Sequence, residues 1–351
     1  MHKIPAQETG TNYNSEPNEI KTAIQNSKNI ALFLHRSPDL DSLCSNYAMH
    51  VYLESIKKPH TLFSLDKVPN SYDLFDTSFI KSNEDPAKLD FSPFDLVIGI
   101  DMGSPSVSTQ EKSFSFPELG LNGEKLLKIN IDHHDNSFWG DINYSFAHRN
   151  SACSILFTLF QAFGFEVKNN LANVLLLGHL ADTGVFQNQL TSEDLRVSAE
   201  LIDRGADGAK MIWYLNFNLD YLAFKRRAYV LSKTTMDRER NIAYSSLSIK
   251  ENQDLGISPE LDVDMNGKEV QDIRRIKGIN FAMFFKEKSD NRVTVSFRSN
   301  NPEFDVSKIA VLLGGGGHKN AAAAMVPDST LDEAIKYVLK VIDAYNERSL
   351  E

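Results

Sequence analysis

Along the first half of the chain, short apolar runs alternate with longer stretches of helical period. Asn29–Leu34 holds Ile30, Ala31, Leu32, Phe33 and Leu34 and stops at His35. Leu96–Ile100 runs into Asp101, and Leu126–Ile131 runs into Asp132, His133 and His134. Such runs flanked by helices predict buried parallel strands of an open α/β sheet, whose ligands bind outside the carboxyl ends of the strands. Each run here ends in a potential metal ligand. Asp41–Ile56 reads as the helix after the first strand. Ser151–Phe163 is apolar nearly all round, from a Ser cap to a closing Gly164, and predicts a buried helix. Leu171–Leu180 predicts a second buried helix that delivers Asp182 just before Gly184, and Ser192–Arg204 a surface helix stopped by Gly205.

Beyond this point the period changes. Asp207–Arg240, with 7 basic and 4 acidic residues, reads as a helical connector. Ile242–Ile249, Gly278–Phe285 and Arg292–Arg298 then look like strands, the last alternating Val293, Val295 and Phe297. Thr330 with Glu333 forms a capping-box pattern before a helical stripe of Leu331, Ala334, Ile335, Val338, Leu339, Ile342 and Tyr345. The expected organisation is a polar segment over residues 1–20, a parallel-sheet α/β domain over 21–206, a connector over 207–240 and a smaller α/β domain over 241–348. The site is expected in the cleft between the two domains.

Composition narrows the function. The 351 residues carry 47 acidic against 37 basic side chains, a net charge of −10. A chain this acidic has no general attraction for long duplex nucleic acid, so any phosphate it binds must be met by local positive charge. Two cysteines, Cys44 and Cys153, lie among apolar or small residues and suit reduced core thiols. The first twenty residues lack the apolar core of a leader, and no apolar run approaches ~18 residues, so a soluble cytoplasmic protein with no membrane contact is expected. Leu350 and Glu351 have the look of a cloning remnant.

The candidate chemistry sits at the ends of the runs. His35, Asp39 and Asp41 lie within seven residues, stiffened by Pro38. Asp39 equally fits a helix cap, and Asp101 before Met102-Gly103 equally fits a turn. His133 and His134 are consecutive and diverge in an extended segment, so one of them can bind an ion while the other faces substrate. Asp182 ends an apolar helix, where the macrodipole disfavours a negative charge and a nearby cation would compensate. Four Asp and two His on one sheet edge supply ligands for two divalent ions about 3.5–4 Å apart. Imidazole plus carboxylate without thiolate suits Mn²⁺, with Co²⁺, Fe²⁺, Zn²⁺ and, less well, Mg²⁺ as alternatives. Two such ions activate water and clamp the oxygens around phosphorus, which makes phosphoester or phosphoanhydride hydrolysis the reaction class. Downstream, Arg298 and Ser299 precede Gly314-Gly315-Gly316-Gly317-His318-Lys319. Glycines let backbone N–H groups approach an anion, and a helix starting in Ala321–Ala324 would add its positive end, so this reads as a phosphate or nucleotide grip. Trp139, Trp213 and Tyr214 suit either base stacking or packing.

These motifs together, His35-x-x-Pro-Asp39-x-Asp41, Asp101, Asp132-His133-His134, Asp182-Thr-Gly and Arg298-Ser with Gly-Gly-Gly-Gly-His318, resemble the DHH/DHHA1 phosphoesterases over roughly Asn29–Val326. Within that family the chain is most similar to the oligoribonucleases, or nanoRNases, that also act on 3′-phosphoadenosine 5′-phosphate (pAp). The resemblance implies that His35 and Asp39 bind one manganese, that Asp41, His133 and Asp182 bind the other, and that Asp101 bridges. It implies His134 on the scissile phosphate and Asp132 orienting the histidines. Arg298, Ser299, Gly315, Gly316, Gly317, His318 and Lys319 would hold the substrate's terminal nucleotide or phosphate. Implied substrates are short RNA oligonucleotides, pAp or dinucleotides, and a homodimer is compatible with the reading. Other members hydrolyse cyclic dinucleotides or polyphosphate, and a non-catalytic nucleotide sensor on the same fold is the other class to weigh. Cys44, Ser154 and Val185 depart from the family pattern.

Overall fold

The computed structural model describes residues 14–68, 76–188, 190–217, 219–258, 269–288, 291–301 and 303–348. They form two units, the first ending at residue 218 and the second beginning at Leu219.

The first unit is a sheet of six strands: β1 (Ile30–Phe33), β2 (His60–Ser64), β3 (Lys81–Ser82), β4 (Leu96–Ile100), β5 (Leu127–Asp132) and β6 (Ile142–Ser145). All pairs are parallel, in the order β3-β2-β1-β4-β5-β6. The apolar runs are continuous because both faces are covered. Ile30, Leu32, Leu96, Ile98, Ile100, Ile129 and Ile131 enter the larger core, whereas Ala31, Phe33 and Val97 pack into an aromatic cluster on the other face with Phe63, Phe91, Phe94 and Phe116. From β1 the chain moves outward to β2 and β3, then returns to the other side of β1 as β4. The strand order therefore reverses between β1 and β4, which opens a crevice at their carboxyl ends.

Helices α1 (Pro17–Asn26), α2 (Leu40–Ser55), α3 (Ala152–Phe163), α4 (Asn169–Asp182), α5 (Ser192–Asp203) and α6 (Gly208–Phe217) complete the unit. α1 begins inside the stretch read as a polar tail, because Ile20 and Ile24, one turn apart, are enough to bury one face. α3 starts where Ser151 accepts the Ser154 N–H and stops at Gly164, whose φ of 70° suits a residue without a side chain. Gly178 lets α4 approach its neighbours closely: a Cβ there would lie 2.9 Å from Cys44 Cβ on α2 and against Cys153 Sγ on α3. Both thiols are free and buried. α6 buries Met211 and Tyr214 against this core.

The second unit holds β7 (Thr235–Asp237), β8 (Ile242–Leu247), β9 (Phe281–Lys288), β10 (Arg292–Ser299), β11 (Gly316–His318) and β12 (Ala321–Val326), in the order β11-β12-β10-β9-β8-β7. Only β8 and β9 pair parallel. Helices α7 (Tyr221–Ser232), α8 (Ile249–Asp254), α9 (Glu269–Ile273), α10 (Val306–Leu312) and α11 (Leu331–Arg348) accompany it. Val293, Val295 and Phe297 of β10 face Ala334, Val338 and Ile342 of α11 across one core. The opposite face buries Ala282 and Phe284 with Val230 of α7 and Val270 and Ile273 of α9. Thr330 and Glu333 cap each other at the start of α11, as the spacing predicts.

The alanine run corrects an expectation. Residues 321–326 form strand β12 and open no helix, so no helix N-terminus stands behind the glycines. Ala322, Ala324 and Val326 alternate into the core, and the hydrogen-bonding register with β10 settles a segment whose composition favours helix.

Candidate metal centre

The carboxyl ends of β1, β4 and β5 bring the predicted ligands together with Asp182 from the end of α4. His35 follows β1. Its Nδ1 faces the Arg36 carbonyl at 2.8 Å, which can only accept, so this nitrogen carries the proton and Nε2 points into the cluster. There Nε2 lies 3.8 Å from Asp39 Oδ1 and 3.7 Å from Asp101 Oδ2. Asp39 also caps α2 by accepting the Ser42 N–H, as the alternative reading of that residue expected. Asp101 sits in the left-handed region (φ 58°), a conformation costing a non-glycine residue roughly 1 kcal/mol, and its N–H is held by the Ile131 carbonyl. That strain turns its carboxylate toward His133, whose Nε2 is 3.2 Å from Oδ1. The same Nε2 is 3.9 Å from Asp41 and 3.7 Å from Asp182. Two sets thus converge, His35-Asp39-Asp101 and Asp41-His133-Asp182, each with donor atoms within 4.8 Å.

Asp41 and Asp132 are held from behind. Asp41 is buried at the start of α2, where its two oxygens accept the first N–H groups of α3, from Ala152 at 2.6 Å and Cys153 at 3.0 Å. An anion at a helix N-terminus is favoured by unpaired N–H groups and dipole alike. Asp132 is also buried. Its Oδ1 accepts the N–H groups of His133 and His134 and faces His134 Nδ1 at 2.7 Å, while Oδ2 accepts from Ser137 Oγ at 2.6 Å. With its oxygens committed in this way, Asp132 holds the backbone N–H groups of both histidines and the ring of His134. Ser137 and the α3 N-terminus were missed by sequence reasoning: nothing in a single chain marks a serine five residues on, or a helix 111 positions from Asp41, as a support.

The electrostatics fit cations. Burial, then Asp101 and Asp182, push the Asp41 carboxyl well up. Burial, with Asp101 and Asp39, lifts Asp182 to about 7. Burial opposes charge on His35 and His133, yet their carboxylate neighbours hold both well above the usual imidazole range. Asp101 moves down despite its burial because both histidines face it. A site that retains protons on carboxylates and imidazoles at once is crowded with negative charge, and its donor set, nitrogen and oxygen without thiolate, suits two divalent ions.

The other predicted residues lie in the second unit. Arg298, next to last in β10, has Nη1 donating to the Phe297 carbonyl, and its buried Nε has no hydrogen-bond partner. Burial and the nearby Arg274 lower its pKa. Ser299 Oγ donates to the Asn301 carbonyl at 2.7 Å. Gly314 and Gly315 close α10, so a helix C-terminus precedes the loop. Gly315 and Gly317 permit close pairing with β12, since Cβ atoms there would lie 2.7 Å from Ala324 Cα and 2.5 Å from the Ala321 carbonyl. Gly316 lies between them on β11, Lys319 is exposed, and the side chain of His318 lies outside the described residues. Trp139 and Tyr214 pack into cores, whereas Trp213 is 56% exposed beside Phe217. Of the departures from the family pattern, Cys44 is a core thiol, Ser154 Oγ donates to the Ser151 carbonyl, and Val185 adopts φ 54° in the turn after Asp182.

An open parallel α/β sheet with paired His/Asp donor sets at its switch point, together with a mixed-sheet unit, defines the class. Residues 29–179 match the DHH family N-terminal domain and residues 241–346 the DHHA1 domain, and the chain belongs to the DHH/DHHA1 phosphoesterase family. It is 31% identical over 216 residues to the bifunctional oligoribonuclease and PAP phosphatase NrnA of Thermus thermophilus, a match spanning 61% of this chain and 63% of that protein. It is 22% identical to the protein of the same name from Mycoplasma genitalium, over 88% of this chain and 92% of the relative. The cyclic-di-AMP phosphodiesterase GdpP of Bacillus subtilis is 22% identical over 95% of this chain and 50% of its own. Among solved structures, an exopolyphosphatase-related protein from Bacteroides fragilis shares the fold, with a TM-score of 0.82 at 21% identity over 95% of this chain and 97% of that one. No helix among the described residues is long and apolar enough to cross a membrane.

Proposed function

We propose that this protein is a two-metal phosphodiesterase that hydrolyses short oligoribonucleotides to 5′-mononucleotides and removes the 3′-phosphate of pAp. The observation that carries the reading is the pair of donor sets joined by the 3.2 Å contact between Asp101 and His133. His35 and Asp39 would hold one ion and Asp41, His133 and Asp182 the other, with Asp101, which faces both His35 and His133, shared between the two sets. Bound, the ions, preferably Mn²⁺, supply an activated water and neutralise charge at phosphorus.

The chain's own residues do the rest. His134, kept protonated at Nδ1 by Asp132, presents its Nε2 side to the scissile phosphate, and the Asp132 carboxylate favours the imidazolium, which is why its pKa rises against burial. The N-terminus of α3 fixes Asp41 before any ion arrives, which lowers the ordering cost of building the site. Arg298, with its free Nε, receives the substrate's terminal phosphate, assisted by Ser299, Gly315–Gly317, His318 and Lys319. The two unpaired thiols suit the reducing cytoplasm. Purified protein with Mn²⁺ is expected to degrade di- to pentaribonucleotides and to dephosphorylate pAp, and Asp101→Ala to lose both activities while remaining folded. Faster turnover of cyclic dinucleotides than of short RNA, or full turnover in Asp101→Ala, would overturn the assignment.

A further inference from the structure

A second set of metal-binding side chains stands at the far end of α2. His50 and Glu54, four residues apart, share one helix face, and His60 opens β2 beside them. One donor atom from each lies within 4.8 Å of the other two. At 1.5 Å per residue, His50 is about 14 Å along the helix from Asp41, so this cluster is separate from the first.

The geometry is prepared for an ion. His60 Nδ1 faces the Lys58 carbonyl at 2.7 Å. A carbonyl can only accept, so the proton is on Nδ1 and Nε2 keeps its lone pair. A backbone carbonyl on the far nitrogen is the usual support of a metal-binding imidazole. That Nε2 accepts a hydrogen bond from His50 Nδ1 at 2.7 Å, and an ion taking the place of this shared proton would meet both ring nitrogens. Phe79 stacks on His50 with ring centres 3.8 Å apart and planes within 10°, which fixes the ring. Burial and the neighbouring His60 lower the His50 pKa, which favours the neutral imidazole. Glu54 Oε1 is 3.9 Å from His60 Nδ1, and its side chain, 66% exposed, is free to swing to the Nε2 side.

We propose that His50, Glu54 and His60 bind one zinc-class divalent ion and so fasten the end of α2 to β2. Two imidazoles and a carboxylate complete a tetrahedral zinc shell with one water, and opening the two nitrogens by about half an ångström reaches the spacing that ion requires. The inference is independent of the phosphodiesterase reading.

The test counts zinc. Full-length protein stripped with EDTA is dialysed against buffered free Zn²⁺, and bound metal is measured by inductively coupled plasma mass spectrometry. His60→Gln is expected to hold one zinc per chain fewer than the unaltered protein and to lose the corresponding zinc-induced rise in Tm. Glu54→Gln keeps both imidazoles and their contact, so it decides the matter even if His60→Gln does not fold. Its zinc affinity at this site should fall at least about tenfold, with Mn²⁺-dependent turnover unchanged. Equal zinc binding in the unaltered protein and Glu54→Gln across the titration overturns the proposal and leaves the pair as a hydrogen bond between two histidines.

Discussion

Replacing Asp182 by Asn should stabilise the metal-free protein above neutral pH while weakening its response to divalent ions. Asp182 is the last residue of α4, where the helix dipole opposes a negative charge. Burial and the carboxylates of Asp101 and Asp39 lift its pKa from 3.8 to about 7. Between those two values the native state holds a proton that the unfolded chain has released, so stability falls as pH rises across that window and the loss is complete above pH 7. At 1.36 kcal/mol for each tenfold change in proton affinity, the ceiling is about 4 kcal/mol. The side chain is 32% exposed, and solvent screening should reduce this to about 2 kcal/mol. Asparagine has the same shape and no charge to repel. Urea unfolding in EDTA, followed by far-UV circular dichroism, should show Asp182→Asn more stable than the unaltered protein at pH 8, with the gap closing toward pH 4. Adding Mn²⁺ should raise the Tm of the unaltered protein clearly more than that of the variant, which keeps the His35-Asp39-Asp101 set. A variant less stable than the original at pH 8 without metal would refute the reasoning, since Asp182 would then be a structural residue and not one held in place for an ion.

Asp132→Asn keeps an oxygen for the His133 and His134 N–H groups but turns charge-assisted bonds into neutral ones. A loss of about 1–2 kcal/mol, or 5- to 30-fold in kcat with KM little changed, is expected in steady-state assays. Gly315→Ala drives a methyl into β12, 2.7 Å from Ala324 Cα, and should raise KM about tenfold or more without altering Mn²⁺ stoichiometry. Ion binding must displace protons from Asp41, Asp182, His35 and His133, all of whose pKa values are raised, so calorimetry in buffers of different ionisation enthalpy should show proton release at pH 6 that shrinks by pH 9.

Much of the first unit was legible because strands buried on both faces carry unbroken apolar runs, and a ligand at the end of such a run lands on a known edge of the sheet. That logic placed Asp101 and Asp132–His134 correctly relative to β4 and β5. It could not show what holds Asp41, because the N–H groups of Ala152 and Cys153 reach it only through the packing of α3 on α2. The alanine run after the glycines failed for another reason. Four identical small residues have no period, so strand and helix read alike until β10 supplies a partner. β2 and β6 also escaped notice, since Thr61, Asn143 and Ser145 interrupt them. The His50–Glu54–His60 cluster was hidden because its members fall on two elements whose adjacency only the sheet order reveals.

The indole of Trp139 lies across Gly99, the residue before Ile100, so closely that a Cβ there would be 2.7 Å from Cη2. Its N–H donates to the Met102 carbonyl at 2.8 Å, one residue beyond Asp101. The second tryptophan, Trp213, is largely exposed. The molecule therefore carries one fluorophore packed beneath Asp101 and another, more exposed, that iodide quenches more readily. The less readily quenched emission reports the backbone of the Asp101 turn, so a titration with divalent ions can be followed in real time on the unlabelled protein.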